Sequence, residues 1–285
     1  MISKLRVGLA AAIAVAFVST AGAETLLQRG TYLMNSIVAC GNCHTPMGPK
    51  GPIMDKVLAG GLKFDEKPFT AYASNITPDP ETGIGKWTDA QLILAIREGK
   101  RPDGSIIGPP MPIELYRDLS DTDVKAIVAY LRTVEPVKNV VPKSVYRMPL
   151  PKDYGPPVGA VADVPRTDKV KYGHYLANAA GHCTECHTPL EANGQRDFKN
   201  KVGLGGDPFR GPWGVTVARN ITQHPDAGLG KWTDAEIKRA ITQGISRDGS
   251  KLKPPMGFAY YKNISAADQD ALVAYLRTLK PLVAK

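Results

Sequence analysis

Every cysteine in this 285-residue chain belongs to one of two copies of the motif Cys-x-x-Cys-His, at residues 40–44 and 183–187. This spacing is the attachment signature of c-type haem. The two thiols form thioethers to the porphyrin vinyl groups, and the histidine that follows is placed to face the iron. The two motifs therefore predict two covalently bound haem c groups, and a fold built around two large apolar cofactors.

Three other kinds of site also use Cys-x-x-Cys pairs: a zinc site, a thioredoxin-like redox pair and a small disulfide. A structural zinc site needs four ligands, and the two pairs lie 143 residues apart in the sequence. Neither a disulfide nor a redox pair needs a histidine directly after the second cysteine. The sequence therefore favours haem attachment, with zinc binding or disulfides as the alternatives.

The amino terminus has the pattern of a secretory signal peptide. Two basic side chains precede an apolar run over residues 7–18, and Ala21-Gly22-Ala23 supplies the small residues of a cleavage site. We therefore expect a signal peptide at residues 1–23 and a mature, periplasmic protein that begins near Glu24. An uncleaved anchor is the alternative, although this run is shorter than the roughly 20 residues that span a bilayer.

Most of the remaining chain is one unit written twice. The two copies are offset by 143 residues through the motif and by 145 residues from Gly60 onward. The matching segments are 30–33 and 173–176, 60–61 and 205–206, 75–77 and 220–222, 85–90 and 230–235, 109–111 and 254–256, and 130–133 and 275–278. A proline-rich stretch, residues 139–165, separates the copies and is expected to be an extended strap. We predict one domain at residues 24–138 and another at 166–285.

Helix signals dominate both copies, and strand signals are weak. Thr88 and Thr233 open capping boxes, which predict middle helices that end at Gly99 and Gly244. A helix before each motif and a final helix that begins near Ser120 or Ser265 complete the order expected of a cytochrome c domain. The sequence therefore predicts a mainly α fold, with two tandem cytochrome c domains joined by the strap.

The sixth ligand of each iron can be inferred by elimination. His44 is the only histidine of the first copy, and Met256 is the only methionine downstream of the second motif. The repeat pairs Met256 with Met111, and both follow Pro-Pro. We therefore predict His44 with Met111 and His187 with Met256 as axial ligands. The thioethers are assigned to Cys40, Cys43, Cys183 and Cys186.

Other roles remain open for these and nearby residues. A methionine commonly fills a gap in a core, and we expect Met34, Met47 and Met54 either to do so or to lie at the surface. His224 is a rival ligand, but its repeat counterpart, Asp79, cannot coordinate haem in the same way. His174 and His182 precede their motif and are expected at the surface or beside haem propionates.

The charge of the chain is unevenly distributed. Its formal net charge is +9, but residues 24–138 carry 13 basic and 14 acidic side chains, whereas residues 166–285 carry 18 basic and 11 acidic ones. A basic surface favours an acidic protein partner, or loose association with anionic lipid. We therefore hypothesise that the second domain docks an acidic redox partner and the first a different one. A merely solvated basic face is the alternative, and nucleic acid is not expected as a partner.

Four segments, 40–46, 75–89, 109–112 and 126–133, resemble the cytochrome c subunits of bacterial periplasmic dehydrogenases. Those subunits take electrons from alcohol, aldehyde, gluconate or sorbitol dehydrogenases and pass them to the quinone pool or a terminal oxidase. They commonly carry three haem motifs and a membrane-associating tail, whereas this chain has two motifs. The resemblance implies that Met111 and Met256 are the sixth ligands.

The resemblance also implies that four polar-tipped side chains lie beside the haems, where they could reach propionates: Asn75, Trp87, Asn220 and Trp232. The alternative is that these residues pin a loop and help to begin the middle helix. As a whole, the resemblance implies electron transfer from a dehydrogenase donor to a cytochrome or oxidase acceptor, and it leaves peripheral membrane association open.

Three classes of function remain after these steps. We expect a periplasmic dihaem cytochrome c that transfers electrons, because two filled axial positions leave no open site for substrate. The alternative is a dihaem redox enzyme, such as a peroxidase or a thiosulfate-oxidising cytochrome, in which the two irons would differ. A haem-bearing sensor or structural module is a third class, for which the sequence offers no signal.

Overall fold

The computed structural model of the chain describes residues 23–192, 194–211 and 213–284. Residues 1–22 of the expected signal peptide lie outside these ranges. Within them, no helix has the length and apolar character needed to cross a lipid bilayer.

The fold is mainly helical, and its two halves share one order of elements. The first half contains helices α1 (Leu26–Asn35), α2 (Gly41–His44), α3 (Asp89–Glu98), α4 (Ile113–Tyr116) and α5 (Asp121–Leu131). The second half contains α6 (Lys169–Tyr175), α7 (Cys183–Cys186), α8 (Asp234–Gln243), α9 (Phe258–Tyr261) and α10 (Ala266–Leu276), and α6 continues into a π-helical turn, Leu176–Ala180. In each half, a one-turn helix lies at the Cys-x-x-Cys pair: α7 includes both cysteines, and Cys40 is the N-cap residue directly before α2.

The middle helices begin and end where their sequence signals lie. Thr88 and Thr233 each accept a hydrogen bond from the backbone N–H three residues later, and Gln91 or Glu236 completes the capping box. Gly99 and Gly244 end these helices in the left-handed conformation, both with φ of 65°. The predicted boundaries of α3 and α8 are confirmed.

The first and last helices of each half cross at a glycine. A Cβ atom on Gly30 would lie 1.9 Å from the carbonyl oxygen of Ala126, and one on Gly173 would lie 1.8 Å from that of Ala271. These distances are far below van der Waals contact, so only glycine allows α1 to cross α5, and α6 to cross α10, this closely. The matching segments 30–33 and 173–176 therefore contain the packing point of each half.

The structure has more strand than the sequence indicates. Strands β1 (Met47–Gly48) and β2 (Gly51–Pro52) form a small hairpin, β3 (Lys63–Glu66) and β4 (Phe69–Tyr72) form a second, and β6 (Pro208–Gly211) and β7 (Gly214–Val217) form the equivalent of β3–β4 in the second half. The strap adds strand β5 (Val145–Tyr146), which pairs antiparallel with β4. The strap is extended at these residues, as expected, and it pairs with β4 because β4 offers a free edge to it.

One hydrophobic cluster runs through both halves. It includes the fully buried side chains of Leu33 and Ile37 from the first half and Leu176 and Leu272 from the second. Gly181 packs directly against Ile37, which brings the segment before the second motif onto the first half. The two halves therefore share a core, and the motif helices lie close to the boundary between them.

Candidate functional site

Each Cys-x-x-Cys pair lies at a one-turn helix and directly follows a residue in the left-handed region. Ala39 has φ of 48° and His182 has φ of 39°, at equivalent positions of the repeat. Cysteines three residues apart on a helix share one face. The two thiols of each motif are therefore presented side by side, as two thioethers to a single porphyrin require.

All four thiols are free of disulfide bonds and are partly buried. Burial raises the pKa of Cys40 and Cys43 to about 12 and that of Cys183 to about 11. The thiols are therefore neutral at physiological pH, which suits an apolar site. A zinc site would need both pairs to converge on one ion, and in the described ranges no group of three or more His, Cys, Asp or Glu is arranged to hold a metal.

The two motif histidines are held in the same way. The Nδ1 atom of His44 lies 2.7 Å from the carbonyl oxygen of Ser74, and that of His187 lies 2.6 Å from the carbonyl oxygen of Arg219. Because a carbonyl only accepts, Nδ1 carries the proton and Nε2 has a free lone pair. Burial lowers the pKa of both histidines and outweighs these hydrogen bonds, which act in the opposite direction. Both imidazoles are therefore neutral, with Nε2 as the atom that can bind a metal.

Met111 and Met256 occupy equivalent loops in the two halves. Each lies directly before a short helix, with its carbonyl oxygen accepting from the N–H two residues on, at 2.9 Å for Ile113 and 3.0 Å for Phe258. Both side chains pack against the core without being fully buried. By contrast, Met34 is fully inside the core and Met54 is 72% exposed, so the expectation for those two methionines is confirmed.

Five apolar positions are left partly exposed in both halves. The equivalent pairs are Val57 and Val202, Ile76 and Ile221, Trp87 and Trp232, Ile96 and Ile241, and Met111 and Met256. All ten side chains contact the hydrophobic cluster without being covered by it. A flat apolar group attached at the thiols would cover such side chains, so the residues present fit a haem in each half.

The histidines outside the motifs have other partners. The Nδ1 atom of His224 accepts from the N–H groups of Asp226 and Ala227, as the carboxylate of Asp79 does from its own loop in the first half. His174 is exposed, as expected. His182 instead lies between the halves, with its ring edge-on to Tyr116 at 5.7 Å and its Nδ1 atom 3.4 Å from Glu185.

The amides of Asn75 and Asn220 pin their loops. Their Nδ2 atoms donate to the carbonyl oxygens of Val137 and Leu282, at 2.8 and 2.7 Å. In each case the Oδ1 atom accepts from a backbone N–H two residues later. Both asparagines therefore pin their loops, and their position beside the haems stays a prediction.

Two arginines that were not predicted as site residues bind the segments that contain Trp87 and Trp232. Arg132 donates to the carbonyl oxygen of Trp87 and to the carboxylate of Asp89, and Arg277 does the same to Trp232 and Asp234. Both arginines lie in the matching segments at the ends of the last helices. Their recurrence in the repeat was a usable signal, although it did not reveal their partners.

The first motif packs against the second half. The Nδ2 atom of Asn42 donates to the carbonyl oxygen of Pro255 at 2.9 Å, directly before Met256. The phenol of Tyr260 covers Gly41 so closely that a Cβ atom there would lie 2.1 Å from its oxygen. The two candidate sites therefore meet at one interface.

Crossed terminal helices, paired thiols at a one-turn helix and a following histidine oriented through Nδ1 define a c-type cytochrome. The cytochrome c family profile matches residues 170–280. The diheme cytochrome c-type protein of Cereibacter sphaeroides is 30% identical over 84% of this chain and 81% of its own length. The chain therefore belongs to the c-type cytochrome family.

Longer relatives share the same likeness. The cytochrome c subunit of the quinone alcohol dehydrogenase of Komagataeibacter europaeus is 32% identical over 99% of this chain, and the fructose dehydrogenase cytochrome subunit of Gluconobacter japonicus is 33% identical over 89%. The chain spans 63% of the first subunit and 52% of the second. It thus corresponds to only part of these relatives.

Proposed function

We propose that the protein is a dihaem cytochrome c that accepts electrons from a dehydrogenase and passes them to a respiratory acceptor. The observation that carries this proposal is the identical arrangement of His44 and His187. Each follows a thiol pair and is oriented by a carbonyl at 2.7 or 2.6 Å. Both halves, including the one outside the family match, therefore offer the same site.

Haem iron supplies one-electron redox chemistry when it is bound. Cys40 and Cys43 would hold the first haem and Cys183 and Cys186 the second, with Nε2 of His44 and His187 as nitrogen ligands of the two irons. Met111 and Met256 would each supply a sulfur ligand, and such a nitrogen and sulfur pair gives a higher potential than two imidazoles. Because the two halves offer the same ligands, an electron carrier is favoured over an enzyme with one open iron.

The proposed electron donor is inferred from the relatives to which this chain is similar. Its relatives include cytochrome subunits of alcohol and fructose dehydrogenases, so we propose a dehydrogenase as donor. We also propose two tandem cytochrome c domains, and that residues 1–23 direct export to the periplasm, where c-type haem is attached. The acceptor is proposed to be a cytochrome or an oxidase.

A haem count and a redox titration test this function together. The full chain, exported in a host that matures c-type cytochromes, should carry two haems that survive denaturation, and it should take up two electrons per chain. Addition of peroxide should leave the reduced protein without catalytic turnover. A single haem, a zinc ion at the thiols, or rapid peroxide turnover would contradict the proposal.

A further inference from the structure

The strap covers one side of the first site. We call residues 106–111 and 251–256 the methionine loops of the two halves. Tyr146 in β5 donates to the carbonyl oxygen of Pro109 at 3.0 Å, and Tyr154 donates to that of Ile107 at 2.8 Å. Two phenols from the strap therefore bind the backbone that leads to Met111.

A glycine makes this cover close-fitting. A Cβ atom on Gly108 would lie 2.7 Å from side-chain atoms of both Tyr146 and Leu150. Gly108 is itself buried. The strap thus lies directly on the first methionine loop and leaves no room there for a side chain or for a partner protein.

The equivalent surface of the second half is open. Lys253 stands where the first half has Gly108, and Lys251 stands where it has Ile106, and both lysines are exposed. In the part of the chain that the structure describes, β7 has no third strand on the edge where β4 pairs with β5. Val215 and Val217 on β7 are 51% and 54% exposed.

This open surface is also basic. Besides the two lysines, Arg210 and Arg219 are exposed at positions where the first half has Asp65 and Ser74. We call these four residues the basic face. The ion pairs of the second half engage other basic side chains, so within the described ranges the basic face has no ion-pair partner. Asp248 lies within electrostatic range of Arg219 and is the nearby opposing charge.

The basic face adjoins the second candidate site. The carbonyl of Arg219 is the group that accepts from His187, and Lys251 and Lys253 belong to the loop that ends at Met256. Unpaired positive charge, exposed valines and a free strand edge are thus combined beside one site, while the strap occupies the same place at the other.

We propose that the basic face of the second half docks an acidic redox protein, and that the strap keeps partners off the equivalent face of the first half. This inference rests on the proposed electron-transfer function and assigns its docking surface. Opposite charge would steer the partner and set its orientation. The valines and the β7 edge would supply apolar contact and backbone hydrogen bonds, as β4 does for the strap. Electrons would then enter or leave the chain through the second site.

Two charge-reversal variants of the haem-loaded chain test the assignment. Lys251→Glu with Lys253→Glu alters the basic face, and Lys143→Glu with Lys152→Glu makes the same charge change at exposed positions of the strap. Hexacyanochromate(III), a redox-inert paramagnetic anion, should broaden the amide resonances of residues 214–219 and 251–256. The first variant should abolish this broadening, and the strap variant should keep it.

Oxidation of the reduced protein by hexacyanoferrate(III) provides the kinetic readout. At low salt the basic-face variant should react about tenfold more slowly, within the range of electrostatic steering, and with a weaker dependence on ionic strength. Equal slowing by both variants, or broadening at the strap, would overturn the proposal. Loss of binding to phosphatidylglycerol vesicles in the basic-face variant alone would also overturn it, by assigning the face to a lipid surface. The broadening by hexacyanochromate(III) reports anion binding and not redox activity. Its absence would therefore contradict the docking surface without contradicting the proposed electron-transfer function.

Discussion

The phenol of Tyr32 donates a hydrogen bond to the carboxylate of Asp268 at 2.6 Å, although 236 residues separate them in the chain. The equivalent residues of the repeat make the reverse contact, with Tyr175 donating to Asp123 at 2.7 Å. Each phenol oxygen also accepts from the backbone N–H of the serine that caps the last helix of the other half. Each half therefore contributes one tyrosine to the other half, where its phenol binds the amino-terminal turn of the last helix.

Removal of these phenol hydroxyls should destabilise the protein. Tyr32→Phe removes the phenol donor to the buried carboxylate of Asp268, and Tyr175→Phe removes one of the donors to that of Asp123, which keeps Arg29. We expect each substitution to lower the free energy of unfolding by about 1–3 kcal/mol. Urea unfolding followed by circular dichroism provides the measurement. Tyr172→Phe is the matched control, because its hydroxyl is 3.4 Å from Arg29 and should matter less. Equal effects of all three variants would contradict this assignment.

The buried pair of Arg29 and Asp123 should be costly to break. The two side chains are joined at 2.7 and 2.9 Å and are almost completely buried. Burial lowers the pKa of Arg29, but the hydrogen bond and the charge of Asp123 raise it above its usual range. We expect Asp123→Asn to cost about 3–5 kcal/mol in the same unfolding measurement, because it leaves a buried charge unpaired.

An exposed ion pair provides the control for that result. Lys138 and Glu81 are 2.6 Å apart, with about two-thirds of each side chain exposed. Lys138→Ala should change the free energy of unfolding by less than about 1 kcal/mol. If Asp123→Asn cost no more than this, the buried pair would not contribute to the stability of the fold.

The crossing glycines should not tolerate a methyl group. Gly30→Ala and Gly173→Ala each place a Cβ atom within 2 Å of a backbone carbonyl oxygen of the crossing helix. The helices must move apart, and we expect a loss of about 1–3 kcal/mol or more for each substitution. Gly159→Ala is the control, because no atom lies within 4 Å of its Cβ position. Wild-type stability in the Gly30 variant would show that the helices do not cross as described.

The contact between the strap and helix α3 should weaken in acid. Burial raises the pKa of Glu98, whereas hydrogen bonds from the N–H of Val158 and from Lys100 lower it. The lowering effects together are larger, so the pKa lies below its ordinary value of 4.5. A depressed carboxyl pKa stabilises the fold fully above the ordinary value, and this contribution is lost as the pH falls through the folded-state pKa.

Hydrogen exchange at the Val158 amide would measure this effect. We expect its protection to fall as the pH drops below about 4.5, relative to core amides at the same pH. In Glu98→Gln the pH dependence should disappear, because the side chain no longer titrates. An unchanged pH profile in that variant would show that another group controls the strap.

The sequence predicted local features well and distant ones poorly. The capping boxes at Thr88 and Thr233 and the glycines that end those helices act within a few residues, so their signals are readable from the chain alone. The strand at Val145–Tyr146 has only two residues and forms because β4 is nearby. Tyr32 and Tyr175 recur in the repeat, but nothing in a repeat shows that each side chain reaches into the other copy.

The same distinction applies to the site. The spacing of the motif identified both thiol pairs and both histidines, because the chemistry of haem attachment is local. The carbonyls of Ser74 and Arg219, which orient those histidines, lie about 30 residues away and could not be assigned from spacing. The contact between the strap and the first methionine loop could not be predicted from the sequence either, because it depends on how the proline-rich segment folds back onto the first half.

The absorption of the oxidised protein in the far red tests the central claim most directly. The weak charge-transfer band of methionine-ligated ferric haem should have the intensity of two haems per chain. Met111→Ala and Met256→Ala should each remove half of it and lower the potential of one haem, whereas Met54→Ala, at a residue 72% exposed, should leave it unchanged. A full-strength band in both Met111→Ala and Met256→Ala would contradict the account.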